Sequence, residues 1–304
     1  MAIRKKITPK GAAPSIQNFK VSKDHTLFAF LSEAMPHKAR TALKLILKNQ
    51  LISVNGIGQT HVNFVLKAGD TVTFGKKAEK AIEIPIKLDI LFEDASILVV
   101  NKPEGLLTMG TDKEKRKTMY AYLSTYVKTK DPNAKIFIVH RLDRETSGLL
   151  VFAKSMDIKN VLQNAWNDDT KHRKYLALVE GLVKTPAGTI TSYLRESKAL
   201  KVHSSKNATY GKESITHYKV VGTKKNTSLL EVVLETGRKN QIRVHMEEIG
   251  HPVVGDKKYG AKTNPIGRLG LHALELGFKH PVSGKVVSFK TPIPGKFVIK
   301  STKE

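Results

Sequence analysis

One short stretch of the chain, residues 140–148, combines residue types suited to contact with a charged ligand. Asp143 lies there between Arg141 and Arg144, in a turn that ends at Gly148. A turn at the edge of a rigid sheet can keep a carboxylate ionised where a ligand reaches it. The alternative is a surface cluster of ion pairs, and composition alone leaves both interpretations open.

Two apolar runs must position this turn. Residues 136–139 precede it and residues 149–153 follow it, and both runs have the length and composition of buried strands. We therefore predict a strand, the charged turn and a second strand. A turn between two strands has little packing use for two arginines and an aspartate, which favours a functional role.

The charge of the whole chain indicates the class of partner. The 304 residues include 52 Lys and Arg against 27 Asp and Glu, a formal net charge of +25. Such an excess attracts a polyanion through counterion release, so nucleic acid is the leading partner. An anionic membrane surface is the rival, but the sequence has no long apolar span and no basic amphipathic anchor. We therefore expect no membrane association.

Several classes of site are disfavoured by composition. The chain has no cysteine, which removes disulfides, thiolate zinc sites and a cysteine nucleophile. Its 11 histidines show no close metal-binding spacing. We therefore expect no metal and no cofactor. The basic N-terminus lacks the apolar core of a signal peptide, so we predict a cytoplasmic protein, with a monomer as the default.

The N-terminal quarter has the pattern of an arm followed by a small domain. Residues 1–24 are polar and basic and predict a flexible arm. Residues 25–75 predict two helices, one ending before Pro36 and one around residues 39–47, followed by strands and turns. Asn49 is expected to take the left-handed, helix-ending conformation. Four basic side chains should point outward from the second helix and its start, namely Lys38, Arg40, Lys44 and Lys48.

A charged linker, residues 76–86, leads to the large domain, residues 87–304. Strand-like runs outnumber helical patterns there and do not alternate regularly with them, so we predict an α+β fold with a mixed, largely antiparallel sheet. The strand-like runs are residues 90–92, 97–100, 136–139, 149–153, 175–179, 229–234 and 286–289, and the helical patterns are residues 119–127, 158–166 and 241–249.

A series of motifs in this domain resembles the RluA family of RNA pseudouridine synthases. The resemblance covers residues from about 87 to 297, and many motifs in the same order make it specific. Asn240 departs from the pattern, since many relatives carry His there. The motifs are residues 93–94 (ED), 98–105 (LVVNKPEG), 140–150 (HRLDRETSGLL), 173–175 (RKY), 179–181 (VEG), 236–245 (TGRKNQIRVH), 251–256 (HPVVGD), 268–273 (RLGLHA) and 280–281 (HP).

The small domain is similar to an S4 RNA-binding module of α/β type, which precedes the catalytic domain in several members of that family. Arg40, residues 54–56 (VNG) and residues 69–70 (GD) match its pattern. Ala39 and Gln50 depart from it, since Ser and Gly are usual there. A small helical domain with solvated lysines is the alternative interpretation.

The resemblance implies a reaction in which a uridine is detached at its N-glycosidic bond, turned over and rejoined through C5. Asp143 would be the carboxylate that attacks the nucleoside or stabilises charge on the ribose. Arg243 would keep it ionised, with a guanidinium able to meet it in bidentate fashion. Arg141 would enter the space left by the flipped base, and Tyr175 would stack on that base and assist proton removal at C5.

The expected substrate is structured RNA, with large-subunit ribosomal RNA favoured over transfer RNA by the resemblance. His140 is predicted to be a turn residue bonded to backbone, and Lys102 and His272 to be structural or RNA-contacting. A non-catalytic RNA-binding or ribosome-assembly factor is the competing hypothesis. A glycosidase or nuclease lacks support, because neither a matched carboxylate pair nor a metal-ligand cluster appears in the sequence.

Overall fold

The structure, a computed structural model, describes residues 17–75, 84–131, 133–164, 166 and 170–297. The described residues divide into two compact units, 17–75 with 131 and 133, and 84–130 with the described residues from 134 to 297. Residues 1–16 of the predicted arm, 76–83 of the predicted linker and the end of the predicted large domain, 298–304, lie outside the described residues.

The first unit carries two helices on small antiparallel sheets. A four-stranded sheet has the order β1-β6-β3-β4, and β2 pairs with β5. Leu27 and Leu31 of the first helix and Leu43 and Leu47 of the second are buried against the strands. The elements are β1 (Gln17–Lys20), β2 (His25–Thr26), α1 (Leu27–Ala34), α2 (Arg40–Lys48), β3 (Ile52–Val54), β4 (Ile57–Gly58), β5 (Val65–Leu66) and β6 (Thr71–Phe74).

Two predictions for this unit are wrong in detail. An irregular arm as far as residue 24 is excluded, because β1 pairs along its whole length with β6. Asn49 does not take the left-handed conformation: its φ is −81°, and its N–H still bonds to Leu45 as in a helix. Gln50 reverses the chain instead, with φ +59°.

Two polar residues explain why the turns of this unit form where the sequence predicts them. Asn55 Nδ2 donates to Asp70 Oδ1 over 2.8 Å, and the backbone N–H of Thr71 donates to Asn55 Oδ1 over 2.8 Å. The pair ties the turn after β3 to the turn before β6, because each side chain satisfies a polar group of the other turn.

The second unit is built on an 11-stranded sheet. Its pairs are antiparallel except that of β10 with β16, which confirms the predicted α+β class. The elements are β7 (Ile90–Glu93), β8 (Ile97–Lys102), α3 (Met119–Lys130), β9 (Phe137–Ile138), β10 (Ser147–Ala153), α4 (Met156–Asn164), β11 (Thr170–Glu180), β12 (Ala187–Glu196), β13 (Val202–Ser205), β14 (Lys212–Lys224), β15 (Thr227–Leu234), α5 (Gln241–Glu248), β16 (Leu271–Lys279) and β17 (Val286–Lys290).

Strand β10 is the rigid support of the charged turn. All its residues are buried, with α3 packed over one face of the surrounding sheet and α4 over the other. Gly148 has φ +113°, and a Cβ atom there would lie 2.1 Å from the carbonyl oxygen of Ala273. Only glycine therefore allows β10 to approach β16 this closely.

Candidate active site

One cleft of about 140 Å³ is lined by four residues predicted to act together: Asp143, Arg141, Tyr175 and Arg243. They come from distant parts of the chain, the first two from the turn before β10 and the others from β11 and α5. The cleft therefore brings the predicted catalytic and base-flipping side chains to one place. The remaining wall includes residues 237–242, which lead into α5.

The turn that carries Asp143 is held by contacts beneath it. Thr108 Oγ1 donates to the carbonyl oxygen of Leu142 over 2.8 Å and accepts from its N–H over 3.1 Å. Lys102 Nζ donates to the carbonyl oxygen of Arg144 over 3.0 Å. The Asp143 side chain is 22% exposed, so it faces the cleft and not bulk solvent.

Arg243, and not a neighbouring arginine of the turn, is the ion-pair partner of Asp143. Its NH1 donates to Asp143 Oδ2 over 3.1 Å. The predicted bidentate geometry is wrong for this pair and belongs to Asp256, where Nε meets Oδ2 over 2.6 Å and NH2 meets Oδ1 over 2.8 Å. The fork uses Nε and one N–H of NH2, and the guanidinium contacts Asp143 through NH1.

Other groups complete the surroundings of the Arg243 guanidinium. Asn240 Oδ1 accepts from NH1 over 3.3 Å, and the ring centre of Tyr259 lies 5.0 Å from the guanidinium carbon. Burial by itself lowers the pKa of Arg243, but the bonds to Asp256 and the charges of Asp256 and Asp143 raise it above its ordinary value. The side chain therefore carries a fixed positive charge at any working pH.

Helix α5 is fastened by a buried polar layer. Gln241 Nε2 donates to the carbonyl oxygen of Ile215 over 3.0 Å and to Thr216 Oγ1 over 2.9 Å. His245 lies within 3.0 Å of Ser192 Oγ and 2.8 Å of Thr216 Oγ1, and burial lowers its pKa to about 4. These bonds fix the helix that presents Arg243.

Tyr175 lies in β11 and is half-buried at the cleft wall. Desolvation raises the pKa of its phenol to about 12, the charge of Asp143 adds to the rise, and the charge of Arg173 opposes it. The phenol is therefore neutral at physiological pH and presents its ring and its hydroxyl as uncharged groups.

His140 does not take part in the cleft. As predicted, it bonds to backbone: its Nε2 accepts from the N–H of Val151 over 3.1 Å. Its ring stacks on Trp166 with 4.7 Å between ring centres. Desolvation, aided by the charge of Arg173, lowers the pKa of His140 to about 3, so the imidazole is neutral.

Lys102 and His272 are buried beneath the site. Lys102 Nζ also donates to the carbonyl oxygens of Pro103 and Leu106, each over 2.8 Å, and burial lowers its pKa to about 7. His272 lies 2.7 Å from Ser147 Oγ and 2.7 Å from Thr291 Oγ1. Both side chains therefore have a structural role in joining loops to the sheet.

The four basic residues predicted for RNA contact in the first unit are not part of this cleft. Arg40, Lys44 and Lys48 are exposed and Lys38 is half-buried. Lys38 Nζ lies 5.5 Å from the ring centre of Phe74, and the guanidinium carbon of Arg40 lies 5.6 Å from that of Phe28. Lys38 and Arg40 thus make cation–π contacts with aromatic rings of the same unit.

Sequence reasoning did not assign two residues of the site, Asp256 and Tyr259. Asp256 is the last residue of the motif at residues 251–256, but the motif alone does not indicate what this carboxylate contacts. Tyr259 follows three residues later in a single 3₁₀ turn, Lys257–Tyr259. A fully buried tyrosine beside an arginine is a contact that only the folded chain reveals.

Two kinds of structural feature are absent from the described residues. Among them, no helix is both long and apolar enough to cross a membrane. Within the same part of the chain, no group of three or more His, Asp or Glu side chains is arranged to hold a metal ion.

Comparison with known proteins gives concordant matches. A family model described as RNA pseudouridylate synthase matches residues 96–248. The uncharacterized RNA pseudouridine synthase YlyB of Bacillus subtilis (strain 168) is 36% identical over 280 residues, which cover 90% of this chain and 91% of that protein. Ribosomal large subunit pseudouridine synthase D of Neisseria meningitidis serogroup A is 34% identical over 284 residues, covering 88% and 75% respectively.

A solved structure shares the fold. Human RNA Pseudouridylate Synthase Domain Containing 4 aligns with a TM-score of 0.57 and 23% identity, over 69% of this chain and 90% of that chain. At this identity the likeness shows the fold alone.

Proposed function

This chain belongs to the RNA pseudouridylate synthase family, and we propose that it isomerises specific uridines of large-subunit ribosomal RNA with Asp143 as its catalytic carboxylate. It is an RNA pseudouridine synthase. The N1–C1′ bond of the uridine breaks, the uracil turns over and a C5–C1′ bond forms. The proton on C5 leaves and N1 takes up a proton, so that the product is an isomer of the substrate.

The observation that carries the proposal is the one-sided bonding of Asp143. Its Oδ2 accepts from Arg243 NH1, while within the described residues its Oδ1 accepts no hydrogen bond. One oxygen is thus held by a fixed cation and the other is available to the nucleotide. That arrangement suits a carboxylate that attacks C1′ or stabilises positive charge on the ribose.

The other cleft residues receive roles from their chemistry. Tyr175 offers an aromatic face on which the extruded uracil can stack. Because its pKa is about 12, the phenol is a poor proton acceptor at neutral pH, so we confine Tyr175 to stacking and not to proton removal at C5. Arg141 is exposed at the cleft, where its guanidinium can fill the space left by the base and bind phosphates.

The choice of RNA rests on relatives and on the small domain. Several relatives are named ribosomal large subunit pseudouridine synthase D. We propose that residues 25–75 form an S4-like RNA-binding domain, that residues 87–304 form the catalytic domain, and that Lys38, Arg40, Lys44 and Lys48 contact RNA phosphates. A transfer RNA target is the alternative. A monomeric, cytoplasmic enzyme stays our prediction.

Release of tritium from 5-tritiated uridine tests the enzymatic role of Asp143. Wild-type protein is incubated with unmodified transcripts of large-subunit ribosomal RNA and of transfer RNA, alongside Asp143→Asn. We expect release from the ribosomal transcript with the wild type and none with the variant. Asp112→Asn, which removes an exposed loop carboxylate outside the cleft, is the matched control and should behave as the wild type.

Two outcomes contradict the proposal. Release that is confined to transfer RNA would replace the target, and full activity of Asp143→Asn would remove the catalytic assignment. The non-catalytic alternative predicts that Asp143→Asn complements a deletion strain fully, whereas charge reversal at Arg40, Lys44 and Lys48 does not.

A further inference from the structure

A second depression lies beside the cleft and shares one residue with it. This groove, of about 490 Å³, is lined by Met109, Tyr120, residues 136–140, Arg141, Lys159 and Gln163. Arg141 lines both the groove and the cleft of Asp143. A molecule that occupies the cleft and passes Arg141 would therefore meet the groove next.

One wall of the groove presents two large apolar side chains to solvent. Met109 is 39% exposed and Tyr120 is 37% exposed. The backbone of Tyr120 is joined to the residue before Met109, since the N–H of Tyr120 donates to the carbonyl oxygen of Thr108 over 3.0 Å. Thr108 is also the residue bonded to Leu142 in the charged turn, so this wall is joined to the turn that carries Asp143.

Other lining residues of the groove supply polar groups. Gln163 Nε2 donates to the carbonyl oxygens of Ile138 over 3.3 Å and of Val139 over 2.9 Å. Its Oε1 accepts no hydrogen bond within the described residues. Lys159 lies one helical turn before Gln163 on α4, so the two side chains share a helix face.

The charge of the groove selects among possible occupants. Among the described residues, its lining includes the cations Arg141 and Lys159 and no carboxylate. An aromatic ring and a methionine in one groove with two cations suit an unstacked nucleobase with its phosphates, because bases stack on aromatic side chains and phosphates pair with cations. An apolar protein segment would offer no partner to the two cations or to the side-chain oxygen of Gln163.

We propose that the groove binds a second unstacked base of the same RNA strand, close to the flipped uridine, with Arg141 between the two nucleotides. The inference rests on the proposed function, and it adds a subsite that would contribute to the choice of target sequence. Tyr120 and Met109 would hold the faces of this base, and Gln163 would offer an acceptor to its edge.

The expected effect of removing this subsite is on binding and not on the chemical step. Stacking of one base on an aromatic side chain is worth roughly a 5- to 100-fold change in affinity. Tyr120→Ala should therefore raise KM by about that factor on unmodified large-subunit ribosomal RNA transcript, with kcat within about threefold of wild type. Tyr120→Phe keeps the ring and should restore the wild-type KM.

Met109→Ala has a matched control on the same unit. Met156 is a second exposed methionine, 48% exposed on α4, and does not line the groove. We expect Met109→Ala to raise KM and Met156→Ala to leave it unchanged. Thermal unfolding of all four variants checks that each remains folded, which their exposure favours.

Fluorescence locates the base directly. Four short hairpins are made, each carrying the target uridine unmodified. Each hairpin has one 2-aminopurine, placed one or two nucleotides before or after that uridine. Wild-type protein should quench one of these probes on binding, and Tyr120→Ala should abolish that quenching. Quenching at none of the four positions, or quenching that persists in Tyr120→Ala, overturns the proposal.

The outcomes separate the two levels of inference. Wild-type protein that releases no tritium from any transcript defeats the proposed function, and the subsite with it. Tritium release by the wild type together with an unchanged KM for Tyr120→Ala defeats the subsite alone. A change of oligomeric state in Tyr120→Ala, measured by sedimentation, would instead identify a second copy of this chain as the occupant.

Discussion

The guanidinium of Arg243 joins two regions of the molecule, the turn that ends at Asp256 and the turn that carries Asp143, and it joins them unequally. Asp256 is 1% exposed and takes two hydrogen bonds, whereas Asp143 is 22% exposed and takes one, over 3.1 Å. The buried, forked contact fixes the arginine, and the single contact leaves a carboxylate oxygen for a ligand. The contact of Arg243 with Asp256 is thus structural, whereas its contact with Asp143 leaves one carboxylate oxygen accessible.

Asp143→Asn is expected to give the largest effect. The amide cannot carry the negative charge, so the rate of tritium release should fall by about 10³-fold or more. Its single, partly exposed bond to Arg243 contributes little to folding, so the free energy of unfolding in urea should change by less than about 1 kcal/mol. A large loss of stability would break the comparison, because Asp143 would then be structural too.

Asp256→Asn should lower stability much more than Asp143→Asn does. Removing one partner of a buried, forked ion pair is expected to lower the free energy of unfolding by about 3–5 kcal/mol. Activity falls as well, since Arg243 loses the contact that orients it. Urea unfolding at neutral pH measures the first effect. Stability equal to that of Asp143→Asn would show that the two sides of Arg243 do not differ.

Acid should destabilise the folded protein because two buried histidines, His245 and His272, stay neutral there but become protonated in the unfolded chain. Burial lowers the pKa of both His245 and His272 to about 4 from 6.5. Below pH 6.5 the unfolded chain takes up protons on these rings while the folded chain stays neutral. The free energy of unfolding should therefore fall between pH 6.5 and 4, by about 2–3 kcal/mol per histidine at pH 4.5.

Replacement of one histidine tests which region is acid-sensitive. His272→Asn cannot titrate, so its stability should fall less steeply between pH 7 and 4.5 than that of the wild type, whatever its stability at pH 7. An identical slope in the two proteins would show that His272 does not contribute to the acid sensitivity.

Tyr259→Phe should give the smallest effect. The Tyr259 hydroxyl accepts from Asn240 Nδ2 over 2.9 Å and from the N–H of Val202 over 3.2 Å. Phenylalanine keeps the ring beneath Arg243 but leaves both donors unpaired, which should lower the free energy of unfolding by about 1–2 kcal/mol. Because Asn240 also accepts from Arg243 NH1, we expect kcat to fall about fivefold with KM unchanged. An unaltered kcat would show that the Tyr259 hydroxyl does not position Arg243 through Asn240.

Much of the fold was predictable because the spacing of apolar residues along the chain indicates which side chains are buried. The helices of the first unit begin and end within a residue or two of their predicted positions, since apolar spacing and Pro36 determine them. The strands around residues 97–100 and 149–153 were predicted because both faces are buried, which requires continuous apolar runs. Local pattern did not distinguish Asn49 from Gln50 as the residue that reverses the chain.

The candidate site was predictable only in part. Asp143, Tyr175 and Arg243 were proposed from motifs, and the fold brings them to one cleft. The forked partner of Arg243 was not predicted, because a guanidinium can pair with any carboxylate that the fold places nearby. The groove beside Arg141 also escaped sequence reasoning, since residues 109, 120, 138 and 163 have no common motif.

The sequence by itself determined the charge that attracts a polyanion, the apolar runs that become buried strands, and the turn between two of these runs that presents a carboxylate. These are properties of neighbouring residues, and short-range sterics and burial enforce them. Only the tertiary structure decided which carboxylate holds Arg243 and which one remains available. That choice depends on how the sheet brings residues 143, 243 and 256 together, a distance relation that no local pattern encodes.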